Sequence, residues 1–367
     1  MSNRRLWVLG NGQLGAMLRH AGVPLGLEVV PVDVDGEVLP ILAASDVVTA
    51  EREYWPVNAI TRRLLEHPHF KNRQALALLS DRCEEKRCLD RLQLATAHWR
   101  ELDATISEAQ LFAELGEQVL LKRREGGYDG KGQQWLRRES GDKITAAWRG
   151  HAIAEQRVAF DDEVSLIGVR DEAGRSVFYP LTLNLHDDGI LLASIAPLTR
   201  LAHLQGRAEV MLRRLMDALD YVGVVTMECF RVGDSLLVNE VAPRVHNSGH
   251  WTLAGCSQSQ FESHIRAVMG LPVAAPVTKA ATVMINLIGV EWDPRWLAVP
   301  TAEVYWYNKK VMPGRKLGHI NLCYATPALL NESLQMLAQW LPARYEKAFA
   351  WVEQQFATPC CAQLGKL

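Results

Sequence analysis

Twelve consecutive residues, Asn239-Glu240-Val241-Ala242-Pro243-Arg244-Val245-His246-Asn247-Ser248-Gly249-His250, gather a carboxylate, a guanidinium, two imidazoles, two carboxamides and a hydroxyl. No apolar period of 2 or 3.6 passes through them, so they do not read as a core element. Polar groups at this density belong on a loop that meets a ligand. The chain leading in reads as a hairpin, Val224 to Val232 and Ser235 to Val238, turning at Gly233-Asp234.

The hairpin brings Glu228 and Glu240 to about the same level of neighbouring strands. Such a pair suits Mg²⁺, a hard cation that bridges nucleotide phosphates. Two solvated surface acids are the plainer alternative, and Asn239 with the polar loop weighs against it. Register decides between them. A plain two-residue turn sets Glu228 opposite Asn239 and sends Glu240 to the other face. A longer loop or a glycine bulge brings both acids to one face.

A chain of 367 residues is expected to form two or three domains. Its formal net charge of −2 gives no reason to expect nucleic acid or an anionic membrane as partner. No apolar run reaches the roughly 18 residues of a membrane span. The seven cysteines are scattered, odd in number and without a CxxC pair, which excludes a zinc knuckle. With no signal-peptide core at the start, a cytoplasmic location is expected.

Leu6 to Leu9 reads as a strand, followed by Gly10-Asn11-Gly12-Gln13-Leu14-Gly15, a helix over 16–21 and a second strand over 28–32. Asp33 then stands 18 residues after the last glycine. This is the pattern of a dinucleotide-binding βαβ unit, so an NAD-dependent dehydrogenase is one reading. The glycines also serve a tight turn whatever the ligand, and the helix start offers N–H groups to an anion. A third strand is expected over 46–49, a helix over 61–67, and one long charged helix from Asn72 to Leu94 carrying Arg82 and Lys86.

Val119-Leu120-Leu121-Lys122 is an apolar strand ending on a cation. After it, Gly126, Gly127, Gly130 and Gly132 put four glycines into seven residues. Such a loop packs no core, but its backbone N–H groups can wrap phosphate oxygens. The spacing is not that of a Walker loop. A flexible surface hairpin is the alternative; the adjoining Lys122 favours a phosphate lid. Glu155 ends a short apolar run, where a carboxylate can accept from an adenine amino group or a ribose hydroxyl. Glu163 lies in an alternating strand, and residues 184–189 read as a polar turn containing His186. Residues 201–219 form an amphipathic helix expected to pack under the hairpin. Strands follow at 283–289, 304–307 and 316–322, with Lys309, Lys310 and Arg315 on a basic turn around Pro313-Gly314 whose cations suit a substrate phosphate. A helix over 329–341 closes the fold, and the tail after Phe356 reads as disordered.

Taken together, the lid, the paired glutamates and the polar loop resemble the ATP-grasp superfamily and, within it, the 5-(carboxyamino)imidazole ribonucleotide synthase family of purine biosynthesis. The similarity runs from 10–15 through 127–133 and 239–250 to 314–319. It implies an α/β and α+β chain of three parts. These are an N-terminal Rossmann-like domain (1–97), an ATP-grasp domain (98–275, with a lid subdomain over about 98–158) and a small C-terminal β-rich domain (276–367). A homodimer acting on small molecules is implied too. ATP would be the co-substrate, surrounded by Arg82, Lys122, Gly127, Tyr128, Asp129, Gly130, Lys131, Gly132, Gln133, Glu155, Gln156, Arg157, Val158, Glu163, His186, Asn239 and Glu240. Glu228 and Glu240 would hold two Mg²⁺ ions, with Mn²⁺ as a substitute. Tyr128, Asp129, Arg244, His246, Asn247, Ser248, Lys309 and Arg315 would face 5-aminoimidazole ribonucleotide.

The implied reaction is carboxylation of that amine by bicarbonate through carboxyphosphate. Arg244 would stabilise the intermediate, Asp129 is a candidate base, and Lys122 would assist phosphoryl transfer. Lys131 stands where many relatives carry arginine, a change that keeps charge but loses the planar fork. Within the superfamily, a formate-dependent glycinamide ribonucleotide transformylase or a biotin carboxylase is the alternative.

Overall fold

Strand β1 (Leu6–Leu9) is apolar without alternation and buried along its whole length, as a central strand of a parallel sheet should be. It lies between β2 (Val29–Val32) and β3 (Val47–Ala50), parallel to both. Helix α1 (Gln13–Gly22) returns the chain from β1 to β2, and α2 (Ala59–Leu65) follows β3. The computed structural model describes residues 4–127 and 130–357. Tyr128, Asp129 and the tail from 358 therefore lie outside the described residues.

The single helix expected from Asn72 to Leu94 is two, α3 (Arg73–Leu79) and α4 (Arg82–Arg91). Asp81 makes the break. Its backbone is extended and its carboxylate caps α4, accepting from the Cys83 N–H at 2.8 Å. The redirected α4 turns charged residues inward: Glu85 and Lys86 are only 3% and 2% exposed. A helix that reads only as charged in sequence is thus a wall of the interior.

The lid region is a small antiparallel sheet of order β4-β7-β5-β6, built from β4 (Trp99–Glu101), β5 (Gln118–Arg123), β6 (Gln133–Arg137) and β7 (Ala152–Gln156). Helix α5 (Glu108–Leu115) covers it, and Leu111, Phe112, Leu121, Leu136 and Trp148 form a core of its own. The glycine-rich loop joins β5 to β6.

The remaining strands make one large sheet. They are β8 (Asp162–Arg170), β9 (Ser176–Phe178), β10 (Thr182–Asp187), β11 (Ile190–Ala196), β12 (Gly223–Val232), β13 (Ser235–Ala242), β14 (Thr282–Ile288), β15 (Ala302–Trp306) and β16 (Lys316–Cys323). Their order is β13-β12-β8-β10-β11-β14-β16-β15, with β9 paired to β8, so the C-terminal strands continue the sheet that carries the hairpin. Residues 184–187, expected in a turn, belong to β10, and only Asp188-Gly189 turns. The polar Asn184 is tolerated inside the strand because its carboxamide bonds Ser165 and Ser194 on the flanking strands.

Helix α6 (Ala202–Ala218) packs on β8, burying Leu204, Ala208, Leu212 and Leu215 in the core shared with the hairpin strands. After the short α7 (Thr252–Gly255), helix α8 (Gln260–Val268) lies between α1 and β12. Its His264 accepts from the Val224 N–H at 3.1 Å and meets the Thr49 hydroxyl at 2.9 Å, joining the two parts. Two helices close the chain, α9 (Pro327–Ala338) and α10 (Glu346–Ala357); the second has no counterpart in the sequence reading.

Candidate active site

The hairpin resolves its register in an instructive way. The turn at Gly233-Asp234 has two residues, with Val232 opposite Ser235 and Cys229 opposite Val238. Continued unbroken, that pairing would set Glu228 against Asn239. A bulge after the Cys229 rung inserts Asn239 as the extra residue, and Glu228 faces Glu240. The tight turn and the bulge are both present, and the bulge is what brings the two acids to one rung.

His246, on the loop after β13, completes a cluster in which ligand atoms of Glu228, Glu240 and His246 lie within 4.8 Å of one another. Among the described residues, Glu228 Oε1 is shut off from solvent with no hydrogen-bond partner. Burial pushes the Glu228 carboxyl up, and Glu240 and Glu163 add to this. Burial also works against ionisation of Glu240, but Arg82 and Lys122 more than offset it and hold that carboxyl down. An unpartnered buried oxygen beside an ionised carboxylate is a donor set that fits a divalent cation.

On one side of this rung lies a cavity of about 690 Å³ under the lid. Lys122, Gly130, Gln133, Gln156, Arg157 and Val158 line it from the lid sheet; Glu163, His186, Asn239 and Glu240 line it from the large sheet. Apolar walls come from Leu120, Phe160, Leu191 and Phe230, with the two phenylalanine rings stacked at 4.6 Å. Glu155 also lines it, but its carboxylate is held by Lys122 at 2.6 Å and Lys86 at 2.7 Å. An adenine contact through that side chain is therefore not what the geometry offers. His186 pairs with Glu163 through Nδ1, which raises its pKa against the pull of burial. Lys131 and Gly132 are not among the lining residues.

On the other side lies a second cavity, of about 470 Å³. Arg244, His246, Asn247 and Gly127 line it, together with Gln13, Glu51, Glu53, Glu85 and Arg124, which sequence reasoning left without a role. The two cavities share Arg82, Glu240, His246, Asn247 and Lys316. Arg82 spans them, donating to Glu240 Oε2 at 3.1 Å and to the Gly127 carbonyl at 3.2 Å. Arg244 pairs with Glu53 at 3.0 Å. Burial, with Arg244, Lys316 and His186 beside it, pulls the His246 imidazole down to about 3, so the ring is neutral.

Three expected substrate contacts stand elsewhere. Ser248 is fully buried behind His246. Lys309 reaches the wall of the second cavity through a hydrogen bond to Gln13. Arg315 is exposed, donates to the Lys310 carbonyl at 3.2 Å, and lines neither cavity. Its neighbour Lys316 lines both. The signal for Lys316 was its position at the head of an apolar strand, where a cation is carried to the strand's end.

The glycine turn at 10–15 is occupied by the protein itself. The N–H groups of Gly12 and Gly15 both donate to the Glu51 carboxylate. Gly10 has φ +113°, and a Cβ there would meet Glu51 Cγ at 2.5 Å. The turn is shaped around an internal anion, which removes the ground for a dehydrogenase.

Comparison with known proteins agrees with this arrangement. Residues 87–261 match the ATP-grasp domain and residues 282–333 the phosphoribosylaminoimidazole carboxylase C-terminal domain. The N5-carboxyaminoimidazole ribonucleotide synthase of Escherichia coli (strain K12) is 47% identical over 353 residues, covering 96% of this chain and 99% of that protein. The chain belongs to the N5-carboxyaminoimidazole ribonucleotide synthase family. It is an ATP-grasp ligase. The synthetase of Thermus thermophilus superposes with a TM-score of 0.80 at 38% identity, over 92% of this chain and 98% of that one. The Aspergillus clavatus synthase in complex with ADP and 5-aminoimidazole ribonucleotide gives a TM-score of 0.80 at 27% identity, over 92% and 99%.

Proposed function

We propose that this ligase carboxylates 5-aminoimidazole ribonucleotide with bicarbonate at the expense of ATP, giving the N5-carboxyamino product, ADP and phosphate for purine biosynthesis. The observation that carries the reading is the pair of cavities meeting at the Glu228–Glu240 rung and sharing five residues. ATP takes the cavity under the lid, its adenine against Phe230 and Leu191 and its phosphates toward Lys122 and the rung. Glu228 and Glu240 would hold Mg²⁺, which when bound would neutralise charge on the phosphates.

A bicarbonate oxygen attacks the γ-phosphorus and ADP leaves, forming carboxyphosphate where the cavities join. Arg82, Lys316 and Arg244 are the cations able to stabilise its charge. The ribonucleotide lies in the second cavity, with Lys309 and Lys316 as the cations for its phosphate. Its amine attacks the carboxyl carbon, or carbon dioxide released in the closed site, and the departing phosphate takes up the proton that the amine loses. The lid keeps water from the intermediate. A homodimer in the cytoplasm is part of this reading.

The test is ADP release measured with bicarbonate and 5-aminoimidazole ribonucleotide, each omitted in turn. Turnover should need all components and Mg²⁺. Equal turnover with formate and glycinamide ribonucleotide, or with biotin, would sink the assignment.

A further inference from the structure

Behind the shared wall of the two cavities runs a chain of buried side-chain hydrogen bonds. Ser194 Oγ lies 2.8 Å from Asn184 Oδ1, Asn184 Nδ2 lies 3.1 Å from Ser165 Oγ, and Ser165 Oγ lies 2.8 Å from Ser248 Oγ. Ser248 Oγ in turn lies 2.9 Å from His246 Nδ1. Ser165, Ser194 and Ser248 are completely buried and Asn184 nearly so, so no water competes for these groups. Hydroxyls and amides can usually reverse direction, and such a chain could in principle run either way.

One group here cannot reverse. The backbone N–H of Ser248 points at His246 Nδ1 at 3.3 Å, as part of the cap of the short turn at 247–249. A backbone N–H only donates, so Nδ1 carries no hydrogen. A neutral imidazole must then hold its proton on Nε2. The Ser248 hydroxyl also gives its hydrogen to Nδ1, which leaves its oxygen to accept from Ser165. Ser165 accepts from Asn184, and Asn184 accepts from Ser194. Each donor assignment follows from the one before. Glu228 Oε1, 3.5 Å from Nδ1, is too far to take a hydrogen bond from it.

We propose that Ser194, Asn184 and Ser165 are positioning residues, forming with Ser248 a one-way relay that holds the Ser248 hydroxyl as second donor to His246 Nδ1, beside the backbone N–H that fixes the Nε2–H tautomer. His246 is then a hydrogen-bond donor to an anionic oxygen at the junction of the cavities, and not a third metal ligand through Nδ1. Two donors already occupy the lone pair that a cation would need. An Nε2–H donor suits a bicarbonate or carboxyphosphate oxygen, because it adds no charge near the Glu228–Glu240 rung and cannot lose its place by rotation. This donor role rests on the carboxylation reading; the tautomer and the relay do not.

The experiment is nitrogen NMR of the full chain labelled with ¹⁵N-histidine, the His246 signals being assigned by their loss in His246→Gln. Without ligand, Nδ1 should resonate in the unprotonated range and Nε2 in the protonated range, and saturating MgADP should leave Nδ1 there. A protonated Nδ1, or a displacement of Nδ1 on adding MgADP that marks coordination, overturns the proposal. Ser165→Ala frees the Ser248 hydroxyl to turn away, so Nδ1 should stay unprotonated but shift in frequency as it loses one of its two donors, and kcat for carboxylation should fall about tenfold with the KM for ATP unchanged. Ser194→Ala, farther along, should do the same more weakly. Loss of kcat in Ser165→Ala with an unaltered histidine spectrum would mean mere structural damage and overturns the relay. Absence of carboxylation by the wild type alongside the expected spectrum would sink the function and leave the tautomer standing.

Discussion

Two glycine-rich turns in this molecule look alike in sequence and do opposite things. At 10–15 the glycines fold the backbone around Glu51, whose carboxylate takes the N–H groups of Gly12 and Gly15. In the second turn, at 126–132, Gly130 lines the open cavity under the lid and, with φ +74°, approaches the Asp188 carbonyl so closely that a Cβ would lie 3.1 Å from it. Glycine spacing thus reports what the backbone must do, and the nearest carboxylate or cation decides what it is done for. In the first turn the neighbour is an anion of the chain's own. In the second it is Lys122, with a carboxylate rung beyond.

That contrast can be broken experimentally, most severely at the rung. Glu240→Gln should lower kcat by about 10³ with the fold intact by circular dichroism, since a carboxylate that would hold the cation at the transferring phosphoryl group is lost. Near-normal turnover in saturating Mg²⁺ would remove the metal role and leave the lid no better explained than the first turn.

Glu155→Gln comes next, because it leaves Lys86 and Lys122 buried and unpaired. A loss of about 3–5 kcal/mol in urea unfolding is expected. The pH dependence has a definite sign. Burial alone would raise the Glu155 carboxyl, but Lys122 and Lys86 hold it at about 2, below its ordinary 4.5. A carboxyl whose folded pKa is depressed contributes stability that is present above about pH 4.5 and is lost as pH falls toward 2. The wild-type urea midpoint should therefore fall more steeply than the variant's between pH 5 and pH 3 (roughly the titration window). Parallel slopes would show that the pair carries no linkage.

At the first turn, Glu51→Gln should cost about 1–3 kcal/mol by weakening two charge-assisted bonds, and NADH fluorescence should detect no binding by either protein. Tight NADH binding would erase the distinction between the turns. Smallest is a paired test of the basic segment. Lys316→Ala should raise the KM for the ribonucleotide about tenfold while that for ATP moves less, and Arg315→Ala should change it about twofold at most. The reverse ranking would mean that the exposed guanidinium swings in when substrate binds.

Much of this site was legible from residue types. Glu228, Glu240, Lys122, Arg244 and His246 were all marked from the sequence, and all meet at the two cavities. Their spacing held because each sits on, or directly after, a strand whose alternation can be read. Glu51, Glu85 and Lys86 were not legible in the same way. Their partners lie far along the chain: Lys86, for instance, reaches Glu155 through tertiary packing that no local pattern encodes. The break at Asp81 was a local signal passed over, since an aspartate ahead of a charged run is an ordinary helix start. Register was the hardest matter, because a bulge inserts Asn239 without any glycine to announce it.

The continuous sheet from β13 to β15 has a practical consequence for anyone wishing to cut this protein into pieces. Removing everything after about residue 276 would strip β14 from β11 and bare a row of unpaired backbone donors and acceptors flanked by Leu192, Ala193 and Ile195. Exposed apolar edges of this kind recruit other chains. The tail-end segment is accordingly better regarded as a splint than as a detachable module, and truncated versions should precipitate where the intact polypeptide stays in solution.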